Sequence, residues 1–170
     1  VRRRFAHVAA LVQAMDEQGL GAALLFPTFG CGVEHALRED VEATMASLEA
    51  FNRWLLDDWG FAYKERIYAA PYISLMDRDR GIKELEWALS HDVRFIVMRP
   101  SFIYNKAGSR SPADPYFDPF WKIVNDAAAY VGELAREHDR NVTAARRMVT
   151  EASNYGAREA LRIGLVDVVS

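Results

Sequence analysis

The 170-residue sequence contains one cysteine, Cys31, and that scarcity excludes an internal disulfide and a cysteine-based zinc site. A lone thiol suits a reducing compartment, so a cytoplasmic setting is expected. Blocks of one charge are lacking too: 21 Lys and Arg stand against 24 Asp and Glu, for a net charge of −3. That balance draws the chain neither to nucleic acid nor to an anionic membrane, and neither partner is expected. Long apolar runs are missing, so no membrane span is expected. The basic start Arg2-Arg3-Arg4 leads into an amphipathic pattern, not into the apolar core of a signal peptide. Metal-chelating spacings are absent as well, for no H-x-H, E-x-H or D-x-H occurs. His7, His91 and His138 lie in helical patterns that make no triad. Glu34 and His35 are adjacent, and neighbours on a strand point to opposite faces, which disfavours joint chelation there.

What is present is a globular composition, 51% hydrophobic and 26% charged, enough for a sizeable core. Residues 5–18 put Phe5, Val8, Ala9, Val12 and Met15 on one helical face. Gly19 and Gly21 end that helix. Residues 22–27 (AALLFP) suit a strand buried on both faces. A Gly-rich loop follows over 28–38, and helical spacing returns over 39–58 through Val41, Met45, Leu48, Phe51, Trp54 and Leu55. Residues 66–75 (RIYAAPYISL) predict a second strand, with Pro71 at its end or at a bulge. A helix is predicted over 77–91 and a third strand over 94–98, then a long loop over 101–119. Helical pattern covers most of the remainder, broken at Gly164, and LVDVV closes the chain as a short strand. Alternating helices and strands argue for a parallel sheet with right-handed crossovers. The expected fold is therefore α/β: a partial (β/α) barrel-like parallel sheet with three βα units, plus a C-terminal helical segment ending in a short strand. A complete (β/α)8 barrel needs roughly 250 residues.

The stretches LLFPTFGCGVEHAL (24–37), AFNRWLLDDWGFAYKERIYAAPYISL (50–75), ELEWAL (84–89) and FIVMRP, followed by RSPADPYFDPFW (110–121), carry a resemblance. From about Phe5 to Trp121 the chain resembles the amidohydrolase-related family. Its nearest branch is the metal-dependent hydrolases and decarboxylases related to aminocarboxymuconate semialdehyde decarboxylase. The resemblance implies a barrel with a divalent metal, zinc or manganese, at its C-terminal mouth, acting on a small-molecule substrate. It implies ligands from an H-x-H-like pair on the first strand, a histidine on the fifth and an aspartate on the eighth. The matching stretches correspond to the second to fourth βα units, so no metal or other cofactor is expected in this chain.

Residues 122–170 resemble a different family. DRNVTAARRMV (139–149) and AREALRIGLVDVV (157–169) are similar to the end of the ClpP-like serine protease domain of NfeD-type membrane proteases. A Ser–Lys dyad is implied there, with a neutral lysine as base for the serine. Lys122, followed by Asn125 and Tyr130, fits the lysine's place. The serine would sit on a Gly-rich turn that has no counterpart, and Ser109 and Ser111 are poor substitutes. The expected organisation is 1–121 amidohydrolase-like and 122–170 protease-like. The two meet around Phe120–Ala128, as a fused or chimeric chain would give.

Candidate pocket residues lie where barrel loops face a site. Thr28 and His35 follow the first strand, and His35 could contact substrate or move a proton near neutral pH. Arg99 follows the third strand and could pair with a substrate carboxylate; a structural ion pair with Glu84 or Glu86 is the alternative. Trp54, Trp59, Phe61, Tyr63 and Trp87 are expected in the core. A Cys31–His35 catalytic pair has no visible oxyanion donor or orienting acid. Lys122 without its serine is a solvated helix lysine. The expected function is that of an amidohydrolase-related fragment, inactive alone. The alternatives are a non-catalytic remnant that self-associates, its open sheet edge inviting a homo-oligomer, and a Ser–Lys protease fragment.

Overall fold

The computed structural model describes residues 2–105, 108–150 and 157–165. Its contacts group into two compact units, 1–117 and 118–170.

The first unit starts with α1 (Arg2–Glu17), β1 (Ala23–Leu25), α2 (Thr28–Ala36) and α3 (Val41–Trp59). It continues with β2 (Ile67–Ala69), α4 (Arg78–Leu89), β3 (Ile103–Asn105), β4 (Gly108–Arg110) and a 3-10 turn, Pro115–Phe117. β1 and β2 pair in parallel, with Ala23 beside Ile67, Leu24 beside Tyr68 and Leu25 beside Ala69. The predicted third strand is reduced to a single parallel bridge between Tyr72 and Val97. Val97 N–H donates to the Pro71 carbonyl at 2.9 Å, and its carbonyl accepts from Ile73 N–H at 2.8 Å. A further rung towards Phe95 would need the amide hydrogen that Pro71 lacks, so the ladder stops there. The expectation of three βα units is thus corrected to two paired strands and one bridge.

Two loop expectations are also corrected. Residues 28–36 form a helix, although two of its first six residues, Gly30 and Gly32, disfavour an isolated one. Packing supplies the reason: a Cβ on Gly30 would lie 2.6 Å from Tyr72 Cδ2, so glycine lets the helix seat directly on that ring. The 101–119 segment contains the antiparallel hairpin β3–β4, with Tyr104 opposite Ser109.

The core centres on Ala69–Met76, buried without a break. One face of the sheet is covered by helices. Ile67 packs with Val8 and Met15 of α1, and Ala69 with Leu55, Phe61 and Ala88. The other face carries Leu24, Tyr68 and Phe95, whose ring meets Tyr68 edge-on at 5.8 Å. Leu24 is 37% and Phe95 45% exposed. The expectation that residues 22–27 are buried on both faces is therefore corrected. Of the predicted α1 face, Val8 and Met15 are buried, Val12 packs beside them and Ala9 is exposed, while the Phe5 side chain lies outside the described residues. The aromatic cluster is split: Phe61 is buried against Trp87, Trp59 and Tyr63 pack at the core's edge, and Trp54 is exposed beside Phe51.

α3 and α4 are fixed by side-chain caps, Asp40 accepting from Ala43 N–H and Asp77 from Arg80 N–H, each at 3.0 Å. Arg80 then reaches Glu49 with two nitrogens at 2.9 Å and Glu42 at 2.7 Å. Inside, Asn52 of α3 acts as a strand edge for Tyr72. It accepts from Tyr72 N–H and donates to the Tyr72 carbonyl, both at 2.9 Å. Its amide also donates to Glu84, which Arg53 grips with two bonds at 2.7 and 2.9 Å.

The second unit contains α5 (Asp118–Glu137), α6 (Val142–Thr150) and α7 (Ala157–Arg162). Phe120, Ala128, Ala135, Ala144, Ala145 and Ala160 are buried. Asn141 caps α6 by accepting from Ala144 N–H at 2.9 Å, and donates to the Ile163 carbonyl at 2.9 Å. Gly164 ends α7 with φ +71°, as the left-handed turn demands. The expected closing strand lies outside the described residues.

Candidate functional site

Ligand sites in parallel α/β folds form beyond the C-terminal ends of the strands. In the first unit three segments leave that end: α2 after β1, Ala70–Met76 after β2, and Met98–Arg99 after the Val97 bridge. Two residues singled out from the sequence meet there. Arg99 Nη2 lies 3.4 Å from His35 Nδ1, although 64 positions separate them. Guanidinium nitrogens only donate, so a hydrogen bond here has Nδ1 as its acceptor and goes with the Nε2–H tautomer of His35. The Arg99 guanidinium also lies 5.6 Å from the centre of the Tyr104 ring. His35 is exposed and Arg99 partly so. Thr28 opens α2 and is exposed, with its amide bonded to the Phe26 carbonyl at 2.9 Å.

Beneath this pair lies a group that periodicity did not reveal. Glu34 is buried to 5% exposure. Its Oε1 accepts from the Ser74 hydroxyl at 2.6 Å and its Oε2 from the Tyr72 hydroxyl. The Tyr72 phenol is held protonated well above the ordinary tyrosine range. Burial is the main cause, followed by the Glu34 carboxylate it donates to, with Cys31 contributing less. Glu34 was legible only as His35's neighbour. On a helix, consecutive side chains diverge by about 100°, which sends Glu34 inward and leaves His35 at the surface.

Arg99 follows the Val97 bridge by two residues and lies beside His35. The alternative ion partner Glu84 is instead engaged by Arg53, which also stacks on Trp87 with its central carbon 3.2 Å from the ring centre. Cys31 lies half-exposed on α2. His91 sits on Trp87, ring centres 4.8 Å apart, and His138 is exposed. In the second unit Lys122 is exposed and paired with Asp126 at 2.6 Å. Ser109 and Ser111 belong to the first unit and are exposed.

A divalent metal does not fit these residues. Among the described residues no three His, Cys, Asp or Glu side chains converge as ligands. The exposed imidazole faces a guanidinium, whose charge opposes a cation beside it. The buried carboxylate already accepts two hydroxyl hydrogens. Among the described residues, no helix is long and apolar enough to cross a membrane.

The fold and site define a mixed α/β protein with a small parallel sheet and polar groups gathered at its C-terminal edge. No family model matches the sequence. The chain is similar to a solved amidohydrolase from Mycobacterium avium subsp. paratuberculosis K-10, with 35% identity and a TM-score of 0.68 over 84% of its own length. It spans 39% of that enzyme. A membrane-bound protease of Pyrococcus horikoshii is 36% identical over 72 residues, which are 42% of this chain and 15% of the protease. The amidohydrolase likeness supports a hydrolase-related chain; the protease likeness is shorter and partial.

Proposed function

We propose that residues 1–117 are an amidohydrolase-related segment that carries a carboxylate-binding half-site. The approach of Arg99 to His35 carries this reading. With His35 Nδ1 taking one guanidinium hydrogen, Arg99 keeps its remaining hydrogens for a small carboxylate, and the His35 ring beside it reports their occupation. In a hydrolase or decarboxylase of this type Arg99 would orient a substrate carboxylate, while a metal on other strands would supply the Lewis acid. No hydrolysis or decarboxylation step is assigned to this chain, and the expectation is that it has none alone.

The test is a titration of the purified chain with benzoate followed by NMR, together with zinc and manganese analysis. Saturable shifts at His35, lost in Arg99→Ala, are expected, with no stoichiometric metal. Tight metal at one per chain, or benzoate shifts indifferent to Arg99, would overturn the reading.

The protease likeness supports a second reading, in which Lys122 serves a serine from another chain. An exposed lysine paired with Asp126 is not the desolvated amine that serine activation requires, so this reading ranks below the first. Labelling by a serine-reactive phosphonate, abolished in Lys122→Ala, would reverse that order.

A further inference from the structure

We propose that Glu34 is a positioning residue for the His35–Arg99 pair, acting through the hydroxyls of Tyr72 and Ser74; this rests on the carboxylate reading above. The pair is held from both sides by one stretch of backbone. On the Arg99 side, Val97 exchanges two hydrogen bonds with Pro71 and Ile73, at 2.9 and 2.8 Å, and Arg99 follows two residues later. On the His35 side, the preceding residue, Glu34, accepts from Tyr72 and Ser74 of the same stretch. That stretch is immobilised in turn by Asn52, which holds both backbone groups of Tyr72.

The carboxylate does what an apolar side chain could not. α2 begins at Pro27 with no side-chain cap, and Gly32 has nothing within 4 Å of where its Cβ would stand. Gly30 sets how close α2 lies to Tyr72, but contact with a ring does not fix how far the helix rolls. Two directional bonds to Glu34 do. A roll of one residue, about 100°, would exchange Glu34 for His35. Burying a carboxylate is costly unless its oxygens are satisfied, and here both are.

The experiment uses the full chain with ¹⁵N-labelled histidine. In the wild type, His35 should show the Nε2–H tautomer alone, as donation from Arg99 requires. Glu34→Gln should move it to a mixture of both tautomers, the outcome also expected for Arg99→Ala, while His91 on Trp87 stays unchanged and reports an intact fold. Benzoate affinity in Glu34→Gln should fall on the order of tenfold, the loss of one charge-assisted bond. If Glu34→Gln does not fold, Ser74→Ala, which removes one donor and leaves Tyr72 in place, should give the same change in smaller degree. A folded variant with wild-type His35 tautomer and wild-type benzoate affinity overturns the inference and leaves the carboxylate reading standing. The tautomer change without any benzoate binding by the wild type overturns the carboxylate reading and keeps the positioning role.

Discussion

At the scale of single residues, the buried side chains Glu34, Thr44, Asn52, Ser74 and Glu84 each meet a specific partner, and their removal has calculable consequences. Asn52 supplies both partners of the Tyr72 backbone. Asn52→Ala leaves a buried N–H, a buried carbonyl and one bond of Glu84 unmet. The expected loss is about 2–4 kcal/mol, read from the denaturant midpoint. Tyr72 gives a prediction in pH. Its phenol is raised above the ordinary value of 10.0 by burial and by Glu34. Below that value the folded and unfolded chains both hold the proton and stability is unaffected. Above it the unfolded chain releases the proton while the native one retains it, so stability falls, by about 1.4 kcal/mol per pH unit. Tyr72→Phe should be less stable near neutrality, where Glu34 loses a donor, yet should lose this part of the alkaline slope. An unchanged slope in Tyr72→Phe would count against the assignment.

At the scale of elements, the helix–strand alternation was legible because long amphipathic patterns are local signals. α1, α3 and α4 follow from the spacing of residues such as Met15, Met45 and Leu85, and the Asp40 and Asp77 caps mark where two of them start. Strand length was not legible, for it depends on whether Pro71 can offer an amide to a neighbour far along the chain. α2 was hidden for a similar reason: Gly30 and Gly32 count against a helix locally, and only the Tyr72 ring explains why one of them is needed. The two glycines therefore separate by substitution. Gly32→Ala meets nothing within 4 Å and should stabilise α2 by up to about 1 kcal/mol. Gly30→Ala would place a methyl 2.6 Å from a ring that is fully buried and bound to Glu34, and should cost about 1–3 kcal/mol. Thermal midpoints of the two variants, moving in opposite directions, check this. Of the site, Arg99 and His35 were visible from their place after strands, but their meeting was not, because it depends on the Val97 bridge and on Glu34.

At the scale of the whole molecule, the described helices of the first unit cover one face of the parallel sheet. Leu24 and Phe95, 37% and 45% exposed, stand on the other beside Tyr68. An apolar sheet face in water favours association, and a second copy presenting the same face is the simplest cover. The expected behaviour is a concentration-dependent sedimentation coefficient, with a thermal midpoint that rises with protein concentration. Phe95→Lys should remove a ring from the contact without touching the helix-packed core. Burying such a ring contributes about 1.5–3 kcal/mol, so the dissociation constant should rise by about tenfold or more while the dilute chain keeps its fold. A wild-type chain that sediments as one compact species at every concentration would show that this face needs no partner, and the unpaired apolar surface would then have to be read as tolerated.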